Sequence, residues 1–316
     1  MNSDVYNELP PEELKKRILS LKKEKNAVIL THNYQILDVQ EIGDFRGDSL
    51  GLSIEASRTD ADIIVFCGVD FMAQSAKILS PQKTVLLPDN KADCPMAAMI
   101  DRETLEVFHE KYPDARVVSY VNTTAEVKAV SDICCTSSNA VAVVRSLGPG
   151  RILFVPDKNL ALYVKNKTGA DIIPWEGFCY VHDMFTPEDV KKMKGLYPDA
   201  FVIVHPECRL SVIELADEVA STSGMLDIIK KMDEDDPMKP VVLGTEVGLI
   251  YQAQKMYPHR KIYPLRETAI CKTMKLTTLP KVLQALENEE PEIRLPDNII
   301  SRARIPLERM LDVTAK

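Results

Sequence analysis

At 316 residues the chain is long enough for two or three domains, and its 45 % hydrophobic content can fill their cores. The net charge of −8 argues against nucleic-acid binding, which needs a basic surface to replace phosphate counterions, so we expect a small-molecule partner. The charged N-terminus lacks the apolar core of a secretory signal. The longest uncharged stretch, residues 133–144, holds only 12 residues and is too short to cross a bilayer. We therefore expect a cytoplasmic protein with no membrane association.

Apolar runs of strand length alternate with helical patterns along the chain. The runs are AVILTHNY, DIIVFCG and TVLLPD in the first third, VVSYVNT, DICCTS and ILFVPD in the second, and FVIVHPE, EVAST and VVLGT in the last. Continuous Val/Ile/Leu runs separated by helices are typical of parallel strands covered on both faces. The sequence therefore predicts an α/β fold built from three αβα units with three strands each.

Three similar stretches divide the chain: KYPDARVVSYV from Lys111, LYPDAFVIVHP from Leu196 and MYPHRKIYPLR from Met256. Each is interpreted as a helix end, a Tyr-Pro turn and a β-branched run, because proline disfavours helix in the residue before it and cannot continue the helix. The YPHRKIYPL segment is then a tenth strand, which we expect to return and pair with the first unit. The predicted units are 1–108 completed by the C-terminal segment 257–316, then 109–195, then 196–256.

Polar residues end many of these predicted strands. The first strands end at residues 31–34, 119–122 and 205–208, and the predicted second strands end at 67–68, 136–139 and 221–224. Ligands of open α/β sheets bind beyond the carboxyl ends of the strands, and helix starts with free N–H and hydroxyl groups favour anions. An anionic, phosphorylated ligand is therefore expected. From the residues alone, His32 is also compatible with a buried strand-end histidine, and the hydroxyl runs with ordinary helix caps.

The seven cysteines contain no CxxC pair, which fits neither a secreted disulfide framework nor a local zinc knuckle. Cys94, Cys179 and Cys271 each follow a predicted strand, 85 and 92 residues apart, so pseudo-threefold packing would bring three thiolates to one point with a fourth position open. The alternative is that these three cysteines are buried in the core as small apolar side chains. For Cys208, metal ligation and core packing both stay open. Core packing is expected for those inside apolar strands, namely Cys67, Cys134 and Cys135.

Ten stretches carry a family resemblance: THNYQ, GDSLGLS, DFMAQSAKIL, LPDNKADCPMA, YVNTTAEVKA, TSSNA, GFCYVHDMF, HPEC, STSGM and CKTMKLTTL. In these motifs the chain resembles the quinolinate synthase family over essentially its whole length. The resemblance implies three three-layer αβα units about a pseudo-threefold axis with a central active site. It also implies the activity: iminoaspartate condenses with dihydroxyacetone phosphate, and phosphate and water leave to give quinolinate for NAD biosynthesis.

The resemblance further implies a cofactor. It makes Cys94, Cys179 and Cys271 the ligands of one [4Fe–4S] cluster whose open iron faces the substrate and acts as a Lewis acid in dehydration. Some family members have a CxxCxxC stretch where this chain reads CKTMKLT, so a local redox switch of that type is expected to be absent. A transient aspartate oxidase or dehydrogenase partner is implied as the source of iminoaspartate.

Motif by motif, the resemblance also assigns site residues. Glu207, Tyr34, His205 and Tyr120 are the expected catalytic residues, with Glu207 moving protons if its pKa is tuned toward neutrality and Tyr34 as its relay partner. Histidine, tyrosine, asparagine and serine donors suit a dicarboxylate, and hydroxyls at helix starts suit a phosphate or carboxylate. The expected substrate-binding residues are His32, Ser49, Tyr120, Val121, Asn122, Ser137, His182, His205, Pro206, Glu207, Ser221 and Thr222.

Two other functions stay open. The first is an iron–sulfur hydro-lyase acting on another hydroxy acid, which would have no use for dihydroxyacetone phosphate. The second is a cluster-containing sensor or a non-catalytic binding protein. That function would leave the convergence of Tyr34, Tyr120, His205 and Glu207 without a purpose.

Overall fold

The computed structural model describes residues 4–314, and twelve strands in this part of the chain form three sheets. The strands are β1 Ala27–His32, β2 Phe45–Gly47, β3 Ile63–Cys67, β4 Thr84–Leu86, β5 Arg116–Tyr120, β6 Ile133–Cys135, β7 Ile152–Val155, β8 Ile172–Pro174, β9 Phe201–Val204, β10 Glu218–Val219, β11 Val241–Gly244 and β12 Ile262–Pro264. Each sheet has four strands and all pairings are parallel.

Helices connect these strands and cover the sheets. They are α1 Asp4–Asn7, α2 Pro11–Glu24, α3 Leu37–Ile42, α4 Ser49–Arg58, α5 Asp70–Leu79, α6 Arg102–Glu110, α7 Ala125–Lys128, α8 Ala140–Leu147, α9 Lys158–Thr168, α10 Pro187–Leu196, α11 Leu210–Ile213, α12 Thr222–Asp235, α13 Val247–Met256, α14 Leu279–Asn288 and α15 Asp297–Thr314. Local sequence fixes many of their starts. At α10, Thr186 and Asp189 each accept the other's backbone N–H, and Pro187 occupies the first turn.

One strand order recurs in all three sheets: β2-β1-β3-β4, β6-β5-β7-β8 and β10-β9-β11-β12. A repeated contact accompanies it, in which an aspartate just before the second strand accepts a backbone N–H from the first strand. The three bonds join Asp44 to Ile29 at 2.8 Å, Asp132 to Val117 at 2.7 Å and Asp217 to Val202 at 2.8 Å. The predicted α/β fold of three αβα units with parallel sheets is confirmed.

The number of strands per sheet was predicted wrongly, because β2 and β8 were missed. Strand β2 reads FRG and is largely exposed, so it has no apolar run, and β8 reads IIP, with only two apolar residues before a proline. The second strand of the first unit is therefore β2, which ends at Gly47. The run ending at Cys67 and Gly68 is the third strand, β3, on the other side of β1.

The expected return of YPHRKIYPL to the first unit is also wrong. Strand β12 pairs with β11, with Val241 opposite Ile262, and forms the fourth strand of the third sheet. The third Tyr-Pro turn thus precedes a fourth strand, whereas the first two precede the first strands β5 and β9. A short apolar run signals a strand but carries no information about its partner. The boundaries of the three units stay a prediction.

The C-terminal helices pack against the first two units. Helix α14 packs against α1 and α2, burying residues such as Leu283 beside Ile18, while α15 packs against α5, α7 and β6. The predicted core cysteines are fully buried, as is Cys208: Cys67, Cys134, Cys135 and Cys208. Over residues 4–314, no helix has both the length and the apolar character needed to cross a membrane.

Candidate active site

The carboxyl ends of the first strands meet at one cavity. Its walls include the side chains of all three units, as expected for a central site. Thirteen of the sequence-predicted site residues line it: His32, Tyr34, Ser49, Cys94, Tyr120, Asn122, Ser137, Cys179, His182, His205, Glu207, Thr222 and Cys271. The structure therefore brings most of the predicted residues together.

Three predicted residues do not line this cavity. Val121 is buried in the core, and its backbone N–H donates to the Cys135 carbonyl, 2.9 Å away. Pro206 and Ser221 line a separate, more open groove, which shares only Asp48 and Ser137 with the cavity. Their predicted substrate contacts stay predictions.

The loops that carry Cys94, Cys179 and Cys271 are equivalent in the three units. In each unit, the first N–H of the helix that follows the third strand donates to the carbonyl two residues before the cysteine. These bonds join Asp70 to Ala92 at 2.8 Å, Lys158 to Gly177 at 2.8 Å and Val247 to Ala269 at 3.0 Å. The fold thus repeats one cysteine-loop geometry three times around the cavity.

Direct contacts also join the three cysteine loops to one another. The Trp175 indole N–H donates to the Met99 carbonyl at 2.9 Å and links the Cys179 and Cys94 loops. Next to Cys179, the Tyr180 hydroxyl accepts the Lys272 N–H at 2.9 Å, which links the Cys179 and Cys271 loops. The described contacts therefore connect all three loops at one end of the cavity.

Electrostatics agree with this convergence. Burial raises the pKa of the Cys179 thiol, and the charges of Glu207, Cys271 and Cys94 raise it further. Burial likewise raises the pKa of Cys94, with a contribution from Cys271. Cys94 and Cys179 therefore need a bound cation to hold them as thiolates, which is what metal ligation supplies. The chemistry of this donor set fits a metal cluster bound by three sulfur atoms.

His32 and His205 present equivalent donors to the cavity. The Nδ1 atom of each accepts a backbone N–H two residues further on, from Tyr34 at 3.1 Å and from Glu207 at 3.3 Å. Burial lowers the pKa of His32 to about 4 and that of His205 to about 3. Both rings are therefore neutral and carry their proton on Nε2, which is the hydrogen-bond donor available to a ligand.

Glu207 forms the centre of a buried hydrogen-bond network. The Tyr120 hydroxyl donates to its Oε1 at 2.5 Å, and His182 Nδ1 lies 2.6 Å from its Oε2. Burial acts to raise the pKa of Glu207, but the electrostatic effect of the nearby His205 and His182 and the hydrogen bonds from His182 and Tyr120 prevail and lower it to about 2. The pKa is thus lowered and not tuned toward neutrality, so Glu207 is an ionised acceptor.

Tyr34 reaches Glu207 only through other groups. Its hydroxyl lies 2.7 Å from the Thr245 hydroxyl and 3.3 Å from His182 Nε2, and Thr245 is itself 3.0 Å from that nitrogen. Because His182 Nδ1 donates to the ionised Glu207, its Nε2 is the acceptor for these hydroxyls. Burial and the Glu207 charge raise the pKa of both Tyr34 and Tyr120, so both are neutral donors.

Hydroxyl groups line the cavity where three helices begin. Strand pairing sets His32 opposite Gly47 and Tyr120 opposite Cys135, and Ser49 and Ser137 follow two residues later. Thr222 holds the corresponding place in the third unit, at the start of α12. Ser49 and Thr222 are the first residues of α4 and α12, and Ser137 lies three residues before α8, so three hydroxyl groups close to helix starts face one space, where helix dipoles favour an anion.

A second group of potential metal ligands includes only one of the cysteines. The ligand atoms of Cys179, His182 and Glu207 lie within 4.8 Å of one another. A single ion there would have to displace the proton between His182 and Glu207. Cys94, Cys179 and Cys271 together do not form such a close group among the described residues, so a group bound by all three would have to be larger than a single ion.

The family model described as quinolinate synthetase A protein matches residues 16–312. Proteins named quinolinate synthase are similar over nearly the whole chain. The one from Methanoregula boonei is 51 % identical, covering 94 % of this chain and 97 % of the relative. Those from Thermodesulfovibrio yellowstonii and Methanothermobacter thermautotrophicus are each 52 % identical, covering 93 % and 96 % of this chain and 96 % and 99 % of the relatives.

The chain belongs to the quinolinate synthase family. It is therefore an enzyme, and the resemblance seen in the sequence motifs is confirmed. The family match includes every predicted site residue, since these lie between positions 32 and 271.

Sequence reasoning missed three acidic residues at this site. Asp48 Oδ1 caps α4, while its Oδ2 accepts hydrogen bonds from the hydroxyls of Ser138 at 2.5 Å and Ser221 at 3.1 Å, one from each other unit. Asp157 and Glu246 cap α9 and α13 beside the cysteine loops. Each directly precedes a helix, a signal that also marks ordinary surface caps and so could not identify them.

Proposed function

We propose that this enzyme condenses iminoaspartate with dihydroxyacetone phosphate to give quinolinate, phosphate and water, and that Cys94, Cys179 and Cys271 bind a [4Fe–4S] cluster. The observation that carries the proposal is the threefold repetition of the cysteine-loop contact around one cavity. When bound, the cluster would supply a Lewis acid for loss of a hydroxyl group. The remaining chemistry falls to the side chains.

The dicarboxylate substrate meets two fixed donors and one free acceptor. His32 and His205 present Nε2–H groups, which suit carboxylate oxygens. The Asn122 Oδ1 atom is buried without a hydrogen-bond partner among the described residues, so it can accept a hydrogen bond from the substrate, for example from the imine N–H. These three groups would hold iminoaspartate in one orientation.

The phosphorylated substrate fits the starts of the helices. Ser49, Ser137 and Thr222 converge on the cavity with the N-termini of α4, α8 and α12. This arrangement stabilises negative charge without a lysine or arginine. It would bind the phosphate of dihydroxyacetone phosphate before elimination and a carboxylate of the condensed product afterwards.

Proton transfer would use the network around Glu207. As the Tyr34 hydroxyl oxygen takes a proton from the substrate, its own proton can pass to His182 Nε2, while His182 Nδ1 donates to the Glu207 carboxylate. Tyr120, hydrogen-bonded to Oε1, is the second donor available to the substrate. Glu207 thus acts as the charged acceptor that orients His182 and Tyr120, with Tyr34 as its relay partner through His182.

We further propose a cytoplasmic location and a transient supply of iminoaspartate by an aspartate oxidase or dehydrogenase. Iminoaspartate hydrolyses in water, so a nearby source of this substrate is favourable.

The test is an anaerobic assay with iminoaspartate and dihydroxyacetone phosphate. Quinolinate formation, iron content and visible absorption are measured for the wild type and for Cys94→Ala, Cys179→Ala and Cys271→Ala. Each variant should lose both iron and activity, whereas Cys135→Ala, a fully buried core cysteine, should keep both. Full activity in any of the three would reject that ligand. Turnover of a hydroxy acid without dihydroxyacetone phosphate would instead favour the hydro-lyase.

A further inference from the structure

Asp157 makes an unusual double contact. It lies at the end of β7 and is fully buried. Its Oδ1 accepts the Leu160 N–H at 2.7 Å and so caps α9, while its Oδ2 accepts the Cys179 N–H at 3.2 Å. One carboxylate therefore joins the start of a helix to the backbone of a candidate cluster ligand.

Glu246 repeats this arrangement in the third unit. It is also fully buried and precedes α13, where its Oε2 accepts the Gly248 N–H at 2.7 Å. Its Oε1 accepts the Cys271 N–H at 3.1 Å. The Lys275 ammonium, 2.9 Å from Oε1, partly compensates the buried charge.

The first unit lacks the carboxylate. Val69 occupies the position before α5 and makes no side-chain cap, so among the described residues the hydrogen bond from Asp70 N–H to the Ala92 carbonyl is the one that joins the Cys94 loop to its helix. The same backbone bond exists in the other two units. The carboxylates of Asp157 and Glu246 therefore add a second contact to the backbone hydrogen bond that joins helix and cysteine loop in all three units.

Helix capping alone does not account for these residues. A serine, threonine or asparagine caps a helix equally well, and burying a carboxylate is costly unless each oxygen is satisfied. In both residues the oxygen that is not needed for the cap bonds the cysteine N–H. The common feature is thus a fixed cysteine backbone on two sides of the cavity.

We propose that Asp157 and Glu246 are positioning residues that hold Cys179 and Cys271 in the geometry that retains the cluster. The inference rests on the proposed cofactor. Groups that orient metal ligands in this indirect way typically contribute about 10- to 100-fold to metal retention. Loss of either carboxylate should therefore weaken retention without removing a ligand.

The test compares Asp157→Asn, Asp157→Ser and Glu246→Gln with the wild type as full chains purified without oxygen. An amide has one acceptor oxygen and serine can only cap the helix, so each variant loses one of the paired contacts. Asp101→Asn is the matched control, because Asp101 caps α6 by accepting the Thr104 N–H, is solvent-exposed and touches no cysteine. Iron release to an excess of an Fe(II) chelator and the Tm of each protein are recorded.

We expect the three test variants to release iron at least about 10-fold faster than wild type, with Asp101→Asn unchanged. Equal release rates in the wild type and in both Asp157 variants and Glu246→Gln would overturn the inference. So would faster release in Asp101→Asn in parallel with its Tm, because that would indicate general destabilisation. Wild-type protein that contains no iron after anaerobic purification would instead refute the proposed cofactor.

Discussion

Glu207→Gln tests the buried network without changing its shape. In the wild type, the carboxylate accepts one hydrogen bond from Tyr120 at 2.5 Å and one involving His182 at 2.6 Å. Glutamine has one acceptor and one donor end. If the amide NH₂ group faces His182, Nδ1 must become an acceptor and the ring must change its tautomer. If the NH₂ group faces Tyr120, the tyrosine hydroxyl loses its acceptor.

The expected loss is large for activity and small for stability. In a comparable hydrogen-bonded pair, a catalytic histidine that loses its anionic partner and is held in the wrong tautomer lowers kcat about 10⁴-fold. This corresponds to about 5 kcal/mol in the activation free energy. The fold should survive because both side chains still have polar neighbours, and we expect a loss of less than about 3 kcal/mol in the free energy of unfolding.

The assay is quinolinate formation under anaerobic conditions, normalised to iron content so that cofactor loss cannot imitate a catalytic defect. Glu214→Gln, an exposed glutamate in the same unit, is the control and should match the wild type. Activity of Glu207→Gln within tenfold of wild type, at equal iron content, would refute the role given to Glu207.

Two further predictions concern stability. Ser138→Ala removes the hydroxyl that donates to the buried Asp48 carboxylate, so the free energy of unfolding in urea should fall by about 1.5–3 kcal/mol, whereas the exposed Ser57→Ala should change it by under about 0.5 kcal/mol. An equal effect of the two would contradict the bond across units. Burial lowers the pKa of Lys128 from 10.5 to about 8, so the folded chain binds this proton more weakly than the unfolded chain and stability rises between these pH values. In iron-free protein, Lys128→Met should lack this rise of up to about 3 kcal/mol, and identical pH dependences would show that Lys128 is not buried as described.

Much of the site could be read from residue type and position. Strand-end residues such as His32, Tyr120 and His205 were predictable because a continuous apolar run ends visibly at the first polar residue, and parallel strands present these ends at one edge. The three cysteines were singled out by their spacing and by their place after a strand. The partner of Tyr34 was not predictable, since Thr245 and His182 come from distant segments and reach it only through tertiary packing.

The sequence by itself determined the α/β class, the threefold recurrence of units and the identity of the chemically reactive side chains, because apolar periodicity and residue type are local properties. Only the tertiary structure decided that β12 joins the third sheet, that β2 and β8 exist, and that Asp157 and Glu246 face cysteines. The exposed strand β2 and the strand β8, which ends at a proline, have too little apolar pattern to recognise, and pairing depends on contacts between segments far apart in the chain. A carboxylate before a helix looks the same in sequence whether its second oxygen meets water or a buried N–H.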